Sequence, residues 1–274
     1  MKETIKGKLV CREFTGLDEF YKYITETPFN NAFKDCNKQS DLTASYYKSF
    51  SETESFDEAV KLFKNGWDAG VQKVKVALKG LPTAETTTFI QKTLYDVVGF
   101  QASVPRYLQG IPTNMVNVRK TPVKQKVITL NKIVNYLAKY DSQDIIKWGA
   151  ETIKVIEAIE RQGIRVKLNI VISNHSGSEC EVVRIPVKRA DERLNISKLA
   201  FPLAHPSMFR RLGFRYIEVS PTCSSSWCLG YGSSDNEDKV RELFKKLGFK
   251  NEVVLPKYLS DADKIVENIT TNVK

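Results

Sequence analysis

Apolar positions along this chain change their period near residue 120. Upstream, the spacing is helical: Val71, Val74 and Leu78 share one face of a segment that starts at Trp67. Ser55-Phe56-Asp57-Glu58 is a capping box, with Ser55 as N-cap and Glu58 at N3, and predicts a helix over Phe56–Lys64 that Gly66 ends. A short strand over Lys8–Phe14 precedes a helix over Leu17–Ile24, which Pro28 stops. Residues 30–55 are polar and aromatic without a clear period, and Phe89–Val98 and Val104–Leu108 read as two further helices.

Downstream, Lys126–Tyr136 is β-branched and alternating, which predicts a strand. Asp141-Ser142 caps a long helix over Gln143–Gln162, with Gly163 at its C′ position, and Arg165–Ser173 is a strongly apolar strand. Strand, long helix and strand make a βαβ crossover with parallel strands. Asn174–Ser178 reads as a hairpin loop and Cys180–Val187 as the antiparallel return. Then come short helices over Ile196–Leu203 and Pro206–Leu212, the second ended by Gly213, and a strand over Arg215–Val219. A helix over Asp238–Leu247, a strand over Glu252–Leu255 and a helix over Asp261–Ile269 close the chain. The expectation is an α/β fold, α+β overall: a mostly α region over 1–120, then a doubly wound sheet with one antiparallel edge strand over 121–274.

Composition narrows the class. At 42% hydrophobic and 27% charged, the 274 residues are those of a globular protein and exclude a disordered or collagen-like chain. No apolar run approaches the roughly 18 residues of a membrane span, and Met1-Lys2-Glu3-Thr4 does not open a signal peptide. No membrane partner is expected.

The net charge of +10 is unevenly placed. Residues 1–100 hold 14 basic and 14 acidic side chains, residues 101–190 hold 15 and 7, and residues 191–274 hold 13 and 11. No acidic residue lies between Asp96 and Asp141, where Arg106, Arg119, Lys120, Lys124, Lys126, Lys132 and Lys139 all fall. An acid-free run of this kind suits a surface that meets a polyanion, and nucleic acid, DNA or RNA, is the first candidate. An acidic protein partner fits the same charge.

Sites for chemistry are harder to find. Five cysteines (Cys11, Cys36, Cys180, Cys223, Cys228) and two histidines (His175, His205) show no metal-ligand spacing, so no metal and no cofactor is expected. The loops beyond the carboxyl ends of the expected strands offer Asn135, Asp141, Ser142, Asn174, His175, Ser224 and Trp227 as a possible crevice site. Against it, no P-loop or G-x-G-x-x-G is present, and Asn and Ser are ordinary turn residues. His175 with Cys223 is the one conceivable base and nucleophile pair. With no catalytic constellation, the reading leans away from an enzyme.

Two resemblances add to this. The element order over 126–270 resembles a von Willebrand factor A-type, Rossmann-like domain. Its Asp-x-Ser-x-Ser metal motif is missing after the first strand, where Ile133-Val134-Asn135-Tyr136-Leu137 stands instead. Ser55-Phe56-Asp57-Glu58-Ala59, Asn65-Gly66-Trp67-Asp68-Ala69-Gly70, Tyr107–Met115, Trp148-Gly149-Ala150 and Leu199–Gly213 are similar to ordered landmarks of a family of bacteriophage proteins of unknown function. That resemblance implies a phage or prophage origin and a setting in a host cytoplasm or a virion, and carries no catalytic assignment. Three functions follow in order: a non-enzymatic binding protein that meets nucleic acid around 106–139; a virion or host-takeover protein that binds another protein; and an enzyme acting on a nucleotide or phosphoester at the crevice.

Overall fold

Strand alternation and helical stripe meet in a six-stranded sheet under one long helix. The computed structural model describes residues 1–34, 37–43, 45–78, 89–122, 126–176, 179–222, 237–249, 252–259 and 261–273. The sheet is built from β1 (Lys2–Lys6), β2 (Leu9–Glu13), β6 (Val127–Ile133), β7 (Arg165–Ser176), β8 (Glu179–Lys188) and β9 (Glu252–Leu255), in the order β1-β2-β8-β7-β6-β9. It is mixed: β6 runs parallel to β7 and β9, and β2 parallel to β8, while β1–β2 and β7–β8 are antiparallel. A second sheet, β3-β5-β4, joins β3 (Phe89–Asp96), β4 (Gln101–Ala102) and β5 (Met115–Pro122), with the single turn of α5 (Val104–Leu108) between β4 and β5.

The crossover between β6 and β7 is α6 (Ser142–Arg161). Asp141 caps it, its side chain accepting the Asp144 N–H at 2.9 Å, and Gly163 follows with a φ of 78°. The apolar stripe of α6, from Ile145 to Ile159, covers Leu130, Ile170 and Ile172 on one sheet face. That face also receives α1 (Leu17–Glu26), α3 (Phe56–Asn65), α4 (Asp68–Ala77), α7 (Ile196–Ala204), α8 (Phe214–Val219) and α10 (Ala262–Val273). On the opposite face, α9 (Glu237–Leu247) sets Val240, Leu243 and Phe244 over Ile133, Val171, Val182 and Val254.

Several expectations change. Phe89–Asp96 is a strand, not a helix, because Met115–Pro122 pairs with it along its whole length. Arg215–Val219 is helical: α8 continues a π-helical turn over Met208–Gly213, so the strand that the von Willebrand A-type order required there is absent. Every residue of α8 except Arg215 is buried, and a short run buried on nearly every side carries no clear period by which to tell helix from strand. Gly213 does not end a helix. Its φ is −65°, and a Cβ there would lie 2.7 Å from the Phe209 ring, so close packing is what requires glycine. The boundary expected at 120/121 does not divide the large sheet, since residues 2–13 supply two of its strands and Phe14, Phe20 and Ile24 share its core.

Segment 30–54, whose one α-helix among the described residues is the short α2 (Ser45–Ser51), is held by polar bonds instead. Arg211, 1% exposed, donates from Nη1 to the carbonyls of Ser40 (2.9 Å) and Leu42 (2.7 Å), and from Nη2 to that of Thr53 (3.0 Å). Glu218, fully buried, accepts the Ser40 N–H (3.0 Å) and hydroxyl (2.5 Å). Arg210 reaches the carbonyls of Phe50, Leu137 and Tyr140 at 2.6, 3.0 and 2.8 Å. Burial lowers the Arg210 guanidinium to about 10, which still leaves it charged at neutral pH.

His205 sits between Trp67, edge-on at 4.5 Å, and Phe201, stacked at 4.8 Å, and its Nδ1 accepts the Ser207 N–H at 3.0 Å. Burial, with Lys73 nearby, pushes its pKa down to about 3. The unfolded chain therefore takes up a proton near pH 6.5 that the fold refuses until about pH 3. Stability falls as pH drops through that window, by at most about 1.4 kcal/mol per unit. His205→Asn keeps an acceptor for Ser207 and removes the titration. Urea midpoints measured from pH 6 to 4.5 are expected to slope less in the variant, and an unchanged slope would refute the assignment.

In the middle of α6, Gly149 faces α7 so closely that a Cβ would lie 2.7 Å from Ala204 Cβ and 2.8 Å from the Leu203 carbonyl oxygen. Gly149→Ala gains about 1 kcal/mol of helix propensity, and the overpacking cost of about 1–3 kcal/mol is expected to exceed it. A raised thermal midpoint in this variant would contradict the packing.

Candidate nucleic-acid interface and crevice

The acid-free basic stretch does not form one face. Arg106, Arg119 and Lys120 belong to the small sheet and α5, and Lys126 is exposed just before β6. Lys139 is exposed beyond the other end of β6, which is about 20 Å long at the usual strand rise. Lys132, expected on the surface, is fully buried. Its ammonium donates to the carbonyls of Pro256 (2.7 Å) and Lys257 (2.8 Å), and burial brings its pKa down to about 7 against the opposing pull of Glu237. Strand alternation put Lys132 on the same side as Ile128 and Leu130, which is the core side. The side chains of Arg119 and Lys120, and Lys124 altogether, lie outside the described residues.

What the small sheet exposes is apolar as well as basic. Among the described residues, nine of the fifteen large apolar side chains left exposed lie between Leu94 and Val118. At the turn after β3 are Val97 (61%), Val98 (72%) and Phe100 (69%); on α5 are Tyr107 (67%) and Leu108 (77%); Tyr95 on β3 is 49% exposed. This unit, an arm of one sheet layer and one turn of helix, makes no more than glancing contact with the other described elements. A single layer with apolar groups left in water is the kind of surface that marks interaction sites.

Within the arm the backbone is well held. Phe100 N–H bonds to the Val116 carbonyl at 3.0 Å and Ser103 N–H to that of Asn114 at 2.7 Å. Gly99 lies against β5, where a Cβ would meet the Val116 oxygen at 2.2 Å. Arg106 is fixed by the Thr113 carbonyl (3.0 Å) and hydroxyl (3.3 Å), with its guanidinium 4.3 Å from the Tyr95 ring centroid. The helical expectation for Phe89–Val98 hid Tyr95 as a surface residue. The alternating Val116, Val118 and Lys120 was the signal that a strand partner lay downstream.

The crevice residues are drawn into structural work. Asn135, 1% exposed, bridges to the Ser173 backbone, donating to its carbonyl at 2.8 Å and accepting its N–H at 3.1 Å. Asp141 is the α6 cap, and Ser142 is the first residue of that helix. The two join Tyr46, Lys139 and Arg210 around a shallow cavity of about 240 Å³. Asn174 is buried, with its Nδ2 unpaired, at the register position facing Glu181. The side chain of His175, and Cys223, Ser224 and Trp227, lie outside the described residues. Among the described residues no three His, Cys, Asp or Glu side chains converge as a metal site needs, and no helix is long and apolar enough to cross a membrane.

Glu181 itself anchors a buried cluster that the sequence analysis passed over. Its carboxylate takes the Arg12 guanidinium, the Tyr216 hydroxyl, Ser220 Oγ (3.0 Å) and Thr222 Oγ1 (2.8 Å). Burial and this carboxylate hold the Tyr216 phenol well above its ordinary pKa, so it stays a donor. The signal was a lone acid in the apolar run Cys180–Val187. A family model described as a domain of unknown function, DUF7192, matches residues 2–273. The chain belongs to the DUF7192 family. No curated protein and no solved structure matches it.

In this DUF7192 chain the Glu181 cluster joins β2, β8 and α8. Glu181→Gln leaves the buried Arg12 with only the exposed carboxylate of Glu3, at 2.8 Å, as counter-charge, and is expected to cost about 3 kcal/mol in a denaturant titration. A change below 1 kcal/mol would show that the ion pair contributes little.

Proposed function

We propose that this protein is a non-enzymatic binding protein that meets nucleic acid through the β-arm over residues 89–122 and the cations that follow it in sequence, Lys124 and Lys126. One observation carries the reading: the exposed aromatic and apolar groups of the described surface gather in the one stretch that holds a run of cations and, after Asp96, no acid. Phosphate contacts supply affinity, and the exposed rings supply flat surfaces for bases. The proposal narrows the surface from 106–139 to the arm, because Lys132 is buried and Lys139 lies beyond the far end of β6. The resemblance to phage proteins supports a setting in an infected host's cytoplasm or in a virion. A second reading, a protein partner, draws support from the aliphatic Val97, Val98 and Leu108.

Fluorescence anisotropy on a labelled oligonucleotide, repeated across salt concentrations, tests this. Binding is expected to weaken steeply with salt. Joint reversal of Lys120, Lys124 and Lys126 to Glu should abolish it, while Lys139→Glu should leave it within about twofold. Binding retained in the triple variant would sink the arm as the site.

A further inference from the structure

Resting on the reading that the arm binds nucleic acid, we infer that its ligand is a single strand whose bases stack on Tyr95, Phe100 and Tyr107. A duplex keeps its bases stacked on one another and offers a protein phosphates and groove edges. A surface built only for phosphates has no use for rings standing in water. Here three rings do so, 49, 69 and 67% exposed, and each rests on a part of the chain that is already ordered.

Tyr95 is steadied by the Arg106 guanidinium over its ring, and that guanidinium is itself pinned on Thr113. Phe100 follows Gly99, whose missing side chain lets the turn close on Val116, and its own N–H is bonded to Val116. Tyr107 is set by the α5 turn, its N–H donating to the Ser103 carbonyl at 2.9 Å. Tyr95 and Gln101 both register with Val116 from either side of β5, which puts the Tyr95 and Phe100 positions about 10 Å apart, two strand spacings. Rings fixed in advance stack at little entropic cost.

Charge selects this occupant over a second copy of the chain. Residues 89–122 carry Lys92, Arg106, Arg119 and Lys120 against Asp96 alone, a balance of +3, so two arms brought face to face repel. A flexible polyanion with accessible π-faces answers both the charge and the rings.

The experiment compares an oligothymidylate of about 16 nucleotides, the upper end of single-strand site sizes, with a duplex of equal length, using the full chain in anisotropy titrations. The single strand should bind at least tenfold more tightly. Phe100→Ala and Tyr107→Ala should each weaken it by about 5- to 150-fold, as loss of a base stack does, with the salt slope unchanged, and Tyr107→Phe should restore it. Equal affinity for both nucleic acids, untouched by these substitutions but abolished by the charge reversals, would overturn the single-strand inference and leave the nucleic-acid reading standing. No binding to either would overturn the reading itself. Capture on phosphatidylserine vesicles, or self-association lost in the same aromatic variants without oligonucleotide binding, would assign the arm to a membrane surface or to a second copy.

Discussion

The guanidinium of Arg211 is the point on which the N-terminal half depends. The described part of residues 30–54 forms two 3-10 turns and one short helix, α2, with too few periodic apolar groups to hold themselves in place, yet their carbonyls lie against the core. A buried carbonyl needs a donor. Arginine carries five donors in a rigid fork, more than any other side chain, and Arg211 places them on the carbonyls of Ser40, Leu42 and Thr53 and on the Ser51 hydroxyl. Its neighbour Arg210 does the same for Phe50 and for the loop that leads into α6. Consecutive residues of a helical turn point in different directions, so the adjacent pair serves two different segments. The π-helical turn that carries them is therefore where the irregular chain is tied to the regular one.

Much of the regular part could be read directly. The α6 crossover announced itself through Asp141, a broad apolar stripe and Gly163, and the structure has all three in those roles. Ser55 caps α3 by accepting the Glu58 N–H, as the capping box required. The errors share one physical cause. Phe89–Asp96 and Phe214–Val219 are short, and each owes its conformation to a partner elsewhere in the chain: β5 for the first, the buried π-helical turn for the second. Local pattern carries no record of such partners.

The charge map was legible, and the surface it belonged to was not. A count along the chain treats Lys126, Lys132 and Lys139 alike, whereas strand geometry sends the first to solvent, the second into the core and the third to the far end of the sheet. Aromatic exposure was illegible for the opposite reason. Tyr95 and Phe100 have the residue types of a core, and only a layer left uncovered makes them a surface. The cluster around Glu181 draws on residues 12, 181, 216, 220 and 222, a convergence no single stretch of chain displays.

The parallel pairing of β2 with β8 has a consequence for synthesis. Leu9–Glu13 leaves the ribosome early, but its neighbour in the sheet begins near Cys180, about 170 residues later. At roughly 5–20 residues per second, that is a wait of about 10 to 30 s. During the wait the β1–β2 hairpin has a free edge and no sheet to join. The final large sheet can close only when the C-terminal third is made, so a nascent chain cut short before β8 has its first strands but no place for them. Folding of the large sheet is expected to finish from its middle outward, with β1 and β2 among the last strands to dock.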